Sequence, residues 1–365
     1  MVLGTIPDWV TYPENDWKSI TPQEAGLDPA QWARFLDNCD ARGSSEDKPG
    51  QAGPQWGAAF TRGGYLVKTW GDPAFKTQTA SVGKAFTWVA FGLAVEDGLV
   101  KPDDLINKTW TGSGQLSHPH KHLDQGHHKT LTWKHLLGDQ DIYGHLGGFP
   151  VTNGYFWRNA SPIEQQNAAE VGLFGSAGVA DWAHWTSDPF YDNYSHAEPG
   201  TVRVYSSGGI WRLSQALTHL WDKDLKEVID QRLFGPMGIP ADRWHWTPGK
   251  DVFDEKNWYP HMPGYGDFID PPYEINGHTV CGGPGWIVIS ALDLARFGHL
   301  IATGGIWKGE RLIGSEWLRG HHGADNNQVS GESTRFSTLA RVATLGIEHP
   351  LPDEVFTGPV KVGSR

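Results

Sequence analysis

Between Leu27 and Ala41, Trp32, Phe35, Leu36 and Cys39 fall at i, i+3, i+4 and i+7 behind Asp28 as an N-cap and Pro29 at the first helical position. That spacing predicts an amphipathic helix. After a polar stretch rich in Gly and Pro, Arg42 to Pro54, apolar positions gather in Trp56 to Thr61 and Tyr65 to Trp70 around Arg62-Gly63-Gly64, the pattern of a hairpin. The segment that begins near Ser81 and runs through Val82, Ala85, Phe86, Val89 and Ala90 toward Gly98 is apolar almost all round. Such a helix belongs in the interior.

From about Lys101 to Gly285 the chain turns rich in Gly, Pro, His and Trp, and short helical patterns, Leu131 to Leu137 and Gly209 to Trp221, are separated by long loops. Past Trp286 the pattern tightens: Ile287 to Ser290 leads into a helix over Ala291 to Ala302, and Thr338 to Ile347 is strand-like. The expectation is an α/β domain built from 1–100 and 286–365, a helical, loop-rich domain over 101–285, and an active site in the cleft between them. No internal repeat is visible, and the nearest approach to low complexity is the His-rich run Ser117 to Thr130.

Composition narrows the function classes. With 365 residues, 38% of them hydrophobic, and a mean hydropathy of −0.45, the chain can bury a large core. Its 42 acidic against 30 basic residues leave a formal charge of −12, which would repel a phosphate backbone and sets nucleic acid aside as a partner. No apolar run reaches the roughly 20 residues of a membrane span, and the start, MVLGTIPDWV, lacks a basic segment followed by an apolar one. The chain is therefore expected to be cytosolic, or to have lost a signal. Two cysteines, Cys39 and Cys281, are too few for a disulfide scaffold or a cysteine-rich zinc site, although one long-range bridge is compatible with the count. The 19 tryptophans are read chiefly as packing residues.

The residues that point to chemistry begin with Ser81-Val82-Gly83-Lys84 at the head of the apolar helix. Spacing i, i+3 sets both positions on one face, the positive end of the helix dipole can stabilise an oxyanion, and a neighbouring amine can take the serine proton. A lysine titrating near 10.4 in isolation must titrate near 7 to act as that base, a change worth about 4.6 kcal/mol that burial or a second cation has to supply. Ser45-Glu46-Asp47-Lys48 has the same spacing but stands among Gly, Pro and charges, with no apolar wall to desolvate its lysine. Tyr205, in Val204-Tyr205-Ser206-Ser207-Gly208-Gly209, sits on a turn into a helix where a phenol can pass a proton between nucleophile and leaving group. Tyr191-Asp192-Asn193 competes for that role without the same turn-to-helix setting.

In order along the chain, Ala80 to Thr87, Val95 to Asp104 and Leu131 to Leu137 resemble segments of the serine β-lactamase and penicillin-binding-protein superfamily. That group includes class C β-lactamases, DD-peptidases and family VIII carboxylesterases. Pro199-Gly200 with Tyr205-Ser206-Ser207, Leu233 to Ile239, Gly282-Gly283 and Asp293-Leu294-Ala295-Arg296-Phe297 follow in register, so the resemblance covers roughly residues 20 to 305. It implies an α+β fold of the β-lactamase/transpeptidase kind, an antiparallel sheet flanked by helices with an inserted helical domain, together with a periplasmic or secreted location. It also implies an acyl-enzyme mechanism with Ser81, Lys84 and Tyr205 catalytic. The second motif of that superfamily reads Tyr-x-Asn, whereas Ser207 stands third here, a hydroxyl with less reach than an amide. Its third motif, Lys/His-Thr/Ser-Gly, has only loose counterparts in His321-His322-Gly323 and Lys361-Val362-Gly363, of which His321 is taken as the candidate substrate contact.

These readings converge on a serine hydrolase that acts on a small-molecule ester or amide, needs no cofactor, and holds Ser207 and His321 against substrate. The expected activity is that of a carboxylesterase or amide hydrolase, with a β-lactamase or D-amino-acid peptidase as the alternative. A different class, a binding protein that kept the fold and lost turnover, is kept because of the unclear third motif. The histidines at 118, 120, 122, 127 and 128 lack a His-Glu-x-x-His helix, so no metal is expected, and the absence of Gly-x-Ser-x-Gly excludes an α/β-hydrolase elbow. Asn107, Asn159 and Asn193 open N-x-S/T sequons.

Overall fold

The computed structural model describes residues 6–43, 57–109, 130, 132–133, 207–252, 273–319 and 357–362. Along the first part of the chain these give α1 (Pro29–Gly43), β1 (Gly57–Arg62), β2 (Tyr65–Gly71), β3 (Lys76–Gln78), a 3-10 turn (Ala80–Gly83), α2 (Lys84–Glu96) and the single turn α3 (Ile106–Thr109). Then come α4 (Ser207–Trp221), α5 (Leu225–Ile229), a π-turn (Asp230–Phe234), β4 (His245–Trp246) and a 3-10 turn (Gly249–Asp251). The last group is β5 (Glu274–Ile275), β6 (His278–Thr279), β7 (Ile287–Ser290), α6 (Ala291–Ala302), β8 (Ile306–Trp307), β9 (Glu310–Arg311) and α7 (Ser315–Arg319). The described residues are therefore α+β, with helices on short antiparallel sheets.

Asp28 caps α1 as the sequence predicts, its Oδ1 accepting from the Ala30 and Gln31 amides at 3.0 and 2.9 Å. The apolar stripe packs on the hairpin, with Trp32 5.0 Å and Phe35 5.5 Å from the Phe60 ring. β1 and β2 pair antiparallel through a two-residue turn in which Gly63 and Gly64 both have positive φ, +57° and +85°. A Cβ on Gly64 would lie 1.9 Å from the Thr11 carbonyl oxygen, so both backbone conformation and space demand glycine there.

The three-stranded sheet has the order β3-β7-β4, with Thr77 opposite Ile289 and Trp246 opposite Ile287. α2 lies in the centre of the main core, as its all-round apolarity predicts, and every residue from Lys84 to Ala94 except Trp88 is buried. Phe86 stacks on Phe297 at 4.6 Å and meets Phe234 edge-on at 5.8 Å. The same buried cluster takes in Leu213 and Leu217 of α4, Ile287 of β7 and Leu300 of α6. α2 ends in a Schellman arrangement: Gly98 has φ +74°, the Leu99 amide bonds the Ala94 carbonyl at 2.9 Å, and the Gly98 amide bonds that of Val95 at 3.0 Å.

α6 is fixed by the Asp293-Leu294-Ala295-Arg296-Phe297 run that the sequence singled out. Ser290 caps the helix by accepting from the Asp293 amide, and its hydroxyl donates to the Asp293 carboxylate at 3.1 Å. Arg243 binds that carboxylate through two nitrogens at 2.5 and 3.1 Å. Arg296, fully buried, donates to the carbonyls of Pro13, Asn15 and Met237 and so anchors the N-terminal segment onto the core. Among the described residues no helix is long and apolar enough to cross a membrane.

Candidate active site

The chain enters the site from the sheet. The Thr79 amide donates to the Ile287 carbonyl at 2.8 Å, which continues the β3–β7 ladder to within two residues of Ser81. Ser81 then lies in the 3-10 turn and Lys84 opens α2. Positions 81 and 84 are three residues, about one turn, apart across the junction of the 3-10 turn and α2. The N-cap of α2 is Gly83, which supplies no side chain to its amides, and the positive end of the helix dipole faces the Ser81 turn. The Ser81 side chain is outside the described atoms.

Lys84 is buried, 4% exposed. Its Nζ donates to the Pro284 carbonyl oxygen at 2.8 Å. Three residues along α2, the Thr87 hydroxyl donates to the preceding carbonyl, that of Gly283, also at 2.8 Å. Both acceptors belong to Cys281-Gly282-Gly283-Pro284-Gly285, a strap between β6 and β7 that runs over the start of α2.

The strap fits between two helices because it carries almost no side chain. A Cβ on Gly83 would lie 2.7 Å from the Gly285 Cα, and one on Gly283 would lie 2.5 Å from the Ser214 Cβ of α4. On another side, the Trp246 indole Nε1 is 3.1 Å from both the Gly282 and the Gly285 carbonyl oxygens. Cys281 is a free, buried thiol, which removes the long-range bridge from consideration, and it donates to Asp224 Oδ1 at 2.9 Å. Burial, reinforced by the charge of Asp224, pushes that thiol well above its ordinary value.

Of the residues singled out from sequence, Lys84 is therefore placed in full and Ser81 by its backbone. Ser207 is the first residue of α4 in backbone only, while Tyr205 and His321 lie outside the described residues, as do Ser45, Tyr191, the 118–128 histidines and the 338–347 segment. Thr87 and Gly282-Gly283 entered the sequence reading only as parts of resembling segments, with no role at the site assigned to them. The glycine density of the strap was visible, but the hydroxyl and amine that grip it come from about 200 positions away. Two grooves, of about 300 and about 520 Å3, are lined mainly by residues 11–18 and by Lys76, Arg243 and Arg296, and neither contains Ser81 or Lys84. Among the described residues no group of three or more His, Cys, Asp or Glu is placed to hold a metal ion.

No known family model matches the sequence, and no curated protein matches it. Its structure is similar to the octameric penicillin-binding protein homologue from Pyrococcus abyssi, at 17% identity over 78% of this chain and a TM-score of 0.46. The match spans 58% of that protein's length. It is similar to EstA from Arthrobacter nitroguajacolicus Rue61a, with 16% identity over 80% of this chain and 74% of that one and a TM-score of 0.43. It is similar also to D-amino acid amidase from Ochrobactrum anthropi SV3, with 17% identity, coverage of 70% and 68%, and a TM-score of 0.40.

Proposed function

We propose that this chain is a serine hydrolase working through an acyl-enzyme, with Ser81 as nucleophile and small, uncharged esters or amides as substrates. The observation that carries the reading is Lys84, buried at the mouth of α2, three positions after Ser81 and hydrogen-bonded to a backbone carbonyl. A solvent-exposed lysine in this place would be an ordinary surface cation. A desolvated one three positions after a serine supports a role in proton transfer.

In the proposed reaction, Lys84 takes the Ser81 proton as Oγ attacks the substrate carbonyl carbon. The negative charge on the tetrahedral oxygen is met by the Ser81 N–H at the positive end of the helix. Tyr205 passes the proton to the departing alcohol or amine as the C–O or C–N bond breaks, leaving the acyl group on Ser81. Water then gives a proton to the same pair, attacks the acyl-enzyme and releases the carboxylic acid with Ser81 restored. Ser207 and His321 are proposed to contact the acyl or leaving group.

Esters are favoured over β-lactams because the second motif carries Ser207 in place of an amide and no clear Lys-Thr-Gly follows α6. Those are the features that would grip a β-lactam side chain and carboxylate. A p-nitrophenyl ester assay on the purified chain and on Ser81→Ala tests the function. Turnover abolished by the substitution supports it, and equal turnover in both proteins, or none in the native chain, contradicts it.

A further inference from the structure

Resting on the reading of Lys84 as the base, we infer that Thr87 is a positioning residue for it, acting through the Gly282–Gly285 strap. Positions 84 and 87 share one face of α2, and from that face the two side chains take consecutive carbonyls, Pro284 and Gly283, each at 2.8 Å. Thr87 is fully buried, so its hydroxyl is withheld from water and committed to this bond.

Holding two successive carbonyls toward one helix requires a tightly turned backbone. The Gly283 amide bonds the Cys281 carbonyl at 2.7 Å, the Gly285 amide bonds that of Gly282 at 2.9 Å, and Trp286, where the strap joins β7, takes a φ of +59°. A bulky residue in the left-handed region persists only where its surroundings hold it there. The holding groups include the Thr87 hydroxyl, the Lys84 amine, the Trp246 indole and the Thr247 backbone, whose carbonyl accepts from the Gly282 amide at 2.8 Å and whose amide donates to the Trp286 carbonyl at 3.1 Å. With the hydroxyl removed, the Gly283 carbonyl loses its side-chain donor in a dry setting, and the strap lowers its strain by turning that peptide. The Pro284 oxygen is one peptide further on and moves with it. Lys84 then follows its acceptor or loses it, and in either case the amine leaves its place relative to position 81.

Thr87→Val keeps the shape of the side chain and deletes only the hydroxyl, while Thr87→Ser retains it. The rate of labelling of Ser81 by a fluorophosphonate, kcat and KM for a short-chain p-nitrophenyl ester, and Tm are measured for the native chain and both variants, well below each Tm. The expected result is labelling and kcat reduced about tenfold or more in Thr87→Val with KM within about twofold, and Thr87→Ser close to native. A purely structural hydroxyl would lower Tm and leave the folded enzyme's rates alone. Should Thr87→Val not fold, Trp246→Phe releases the strap from its other side and carries the same tenfold expectation. Native-rate labelling in the folded variant, with Ser81 labelled in the native chain, overturns the positioning role and leaves the acyl-enzyme reading standing. A native chain that is not labelled at Ser81 overturns the reading beneath it.

Discussion

The Lys84 Nζ and the Pro284 carbonyl oxygen lie 2.8 Å apart although their residues are 200 positions apart in the chain. The bond joins the first residue of a buried helix to a side-chain-poor strap that ends where the central strand β7 begins. Its geometry therefore depends on packing on both sides of the strap, and several consequences can be measured.

Gly283→Ala should damage activity more than its size suggests. The added Cβ would lie 2.5 Å from the Ser214 Cβ and 3.0 Å from the Ile210 carbonyl oxygen, both on α4, so the strap has to shift. A loss of at least about tenfold in kcat/KM, roughly 1.4 kcal/mol, is expected together with a lower Tm. Native kcat/KM in this variant would show that the strap does not govern the site.

Phe86→Ala should be among the most destabilising single changes in the protein. The ring is fully buried, stacked on Phe297 and edge-on to Phe234, and its loss leaves a cavity under the candidate site. A cost of about 3–5 kcal/mol is expected in urea unfolding. A cost below about 1 kcal/mol would mean that this core collapses around the gap.

Acid should weaken the protein partly through His299. Burial lowers this histidine from 6.5 to about 4, and its Nε2 bonds the Thr11 carbonyl at 2.8 Å, so the neutral Nε2–H form is the one the fold holds. The unfolded chain therefore takes up the proton first as pH falls below about 6.5, so stability that is full above that pH is lost progressively as pH falls toward about 4. The loss attributable to this group approaches about 3 kcal/mol at the acid end. His299→Gln keeps a donor for Thr11 and should show a shallower fall in unfolding free energy between pH 7.5 and 5. Parallel curves for the two proteins would contradict the assignment.

Cys281 should be inert in the native protein. It is fully buried, bonded to Asp224, and held in its thiol form. Iodoacetamide at pH 8 should modify it only after unfolding by denaturant, with mass mapping as the readout. Rapid labelling of Cys281 in the folded chain would mean that the strap opens.

How much of this was legible in the sequence depends on the range of the interaction. Asp28 before the Trp32, Phe35, Leu36 stripe, the Gly63-Gly64 turn, and the α2 and Ile287–Ala302 segments are local signals, and each appears where the pattern sets it. α4 begins two residues before the predicted Gly209, which is the ordinary scatter of helix ends. The tryptophans read as packing residues include Trp133, Trp211 and Trp246, all in the core. What the pattern did not carry is pairing at a distance. Arg296 stood in a recognisable run, yet nothing local says that it binds the Pro13 and Asn15 carbonyls. Thr87 and Gly283 were likewise visible as residues but not as partners, because a hydroxyl in an apolar helix has no periodicity that names its acceptor.

Short-chain p-nitrophenyl esters should be turned over with kcat/KM at least about a hundredfold above that for nitrocefin, equivalent to roughly 2.7 kcal/mol of transition-state discrimination. The ester needs only an oxyanion site and an apolar slot, whereas the β-lactam needs an anion grip that Ser207 and the sequence after α6 do not supply. Comparable hydrolysis of nitrocefin would reveal a third motif in another form.

The central claim is that Ser81 is the residue acylated. Incubation of the native chain with a fluorophosphonate, followed by peptide mapping, tests it most directly. A single adduct on the peptide bearing Ser81, lost in Ser81→Ala and slowed by several orders of magnitude in Lys84→Ala, is the predicted result. An adduct on Ser45 or Ser207, or equal labelling without Lys84, would contradict it.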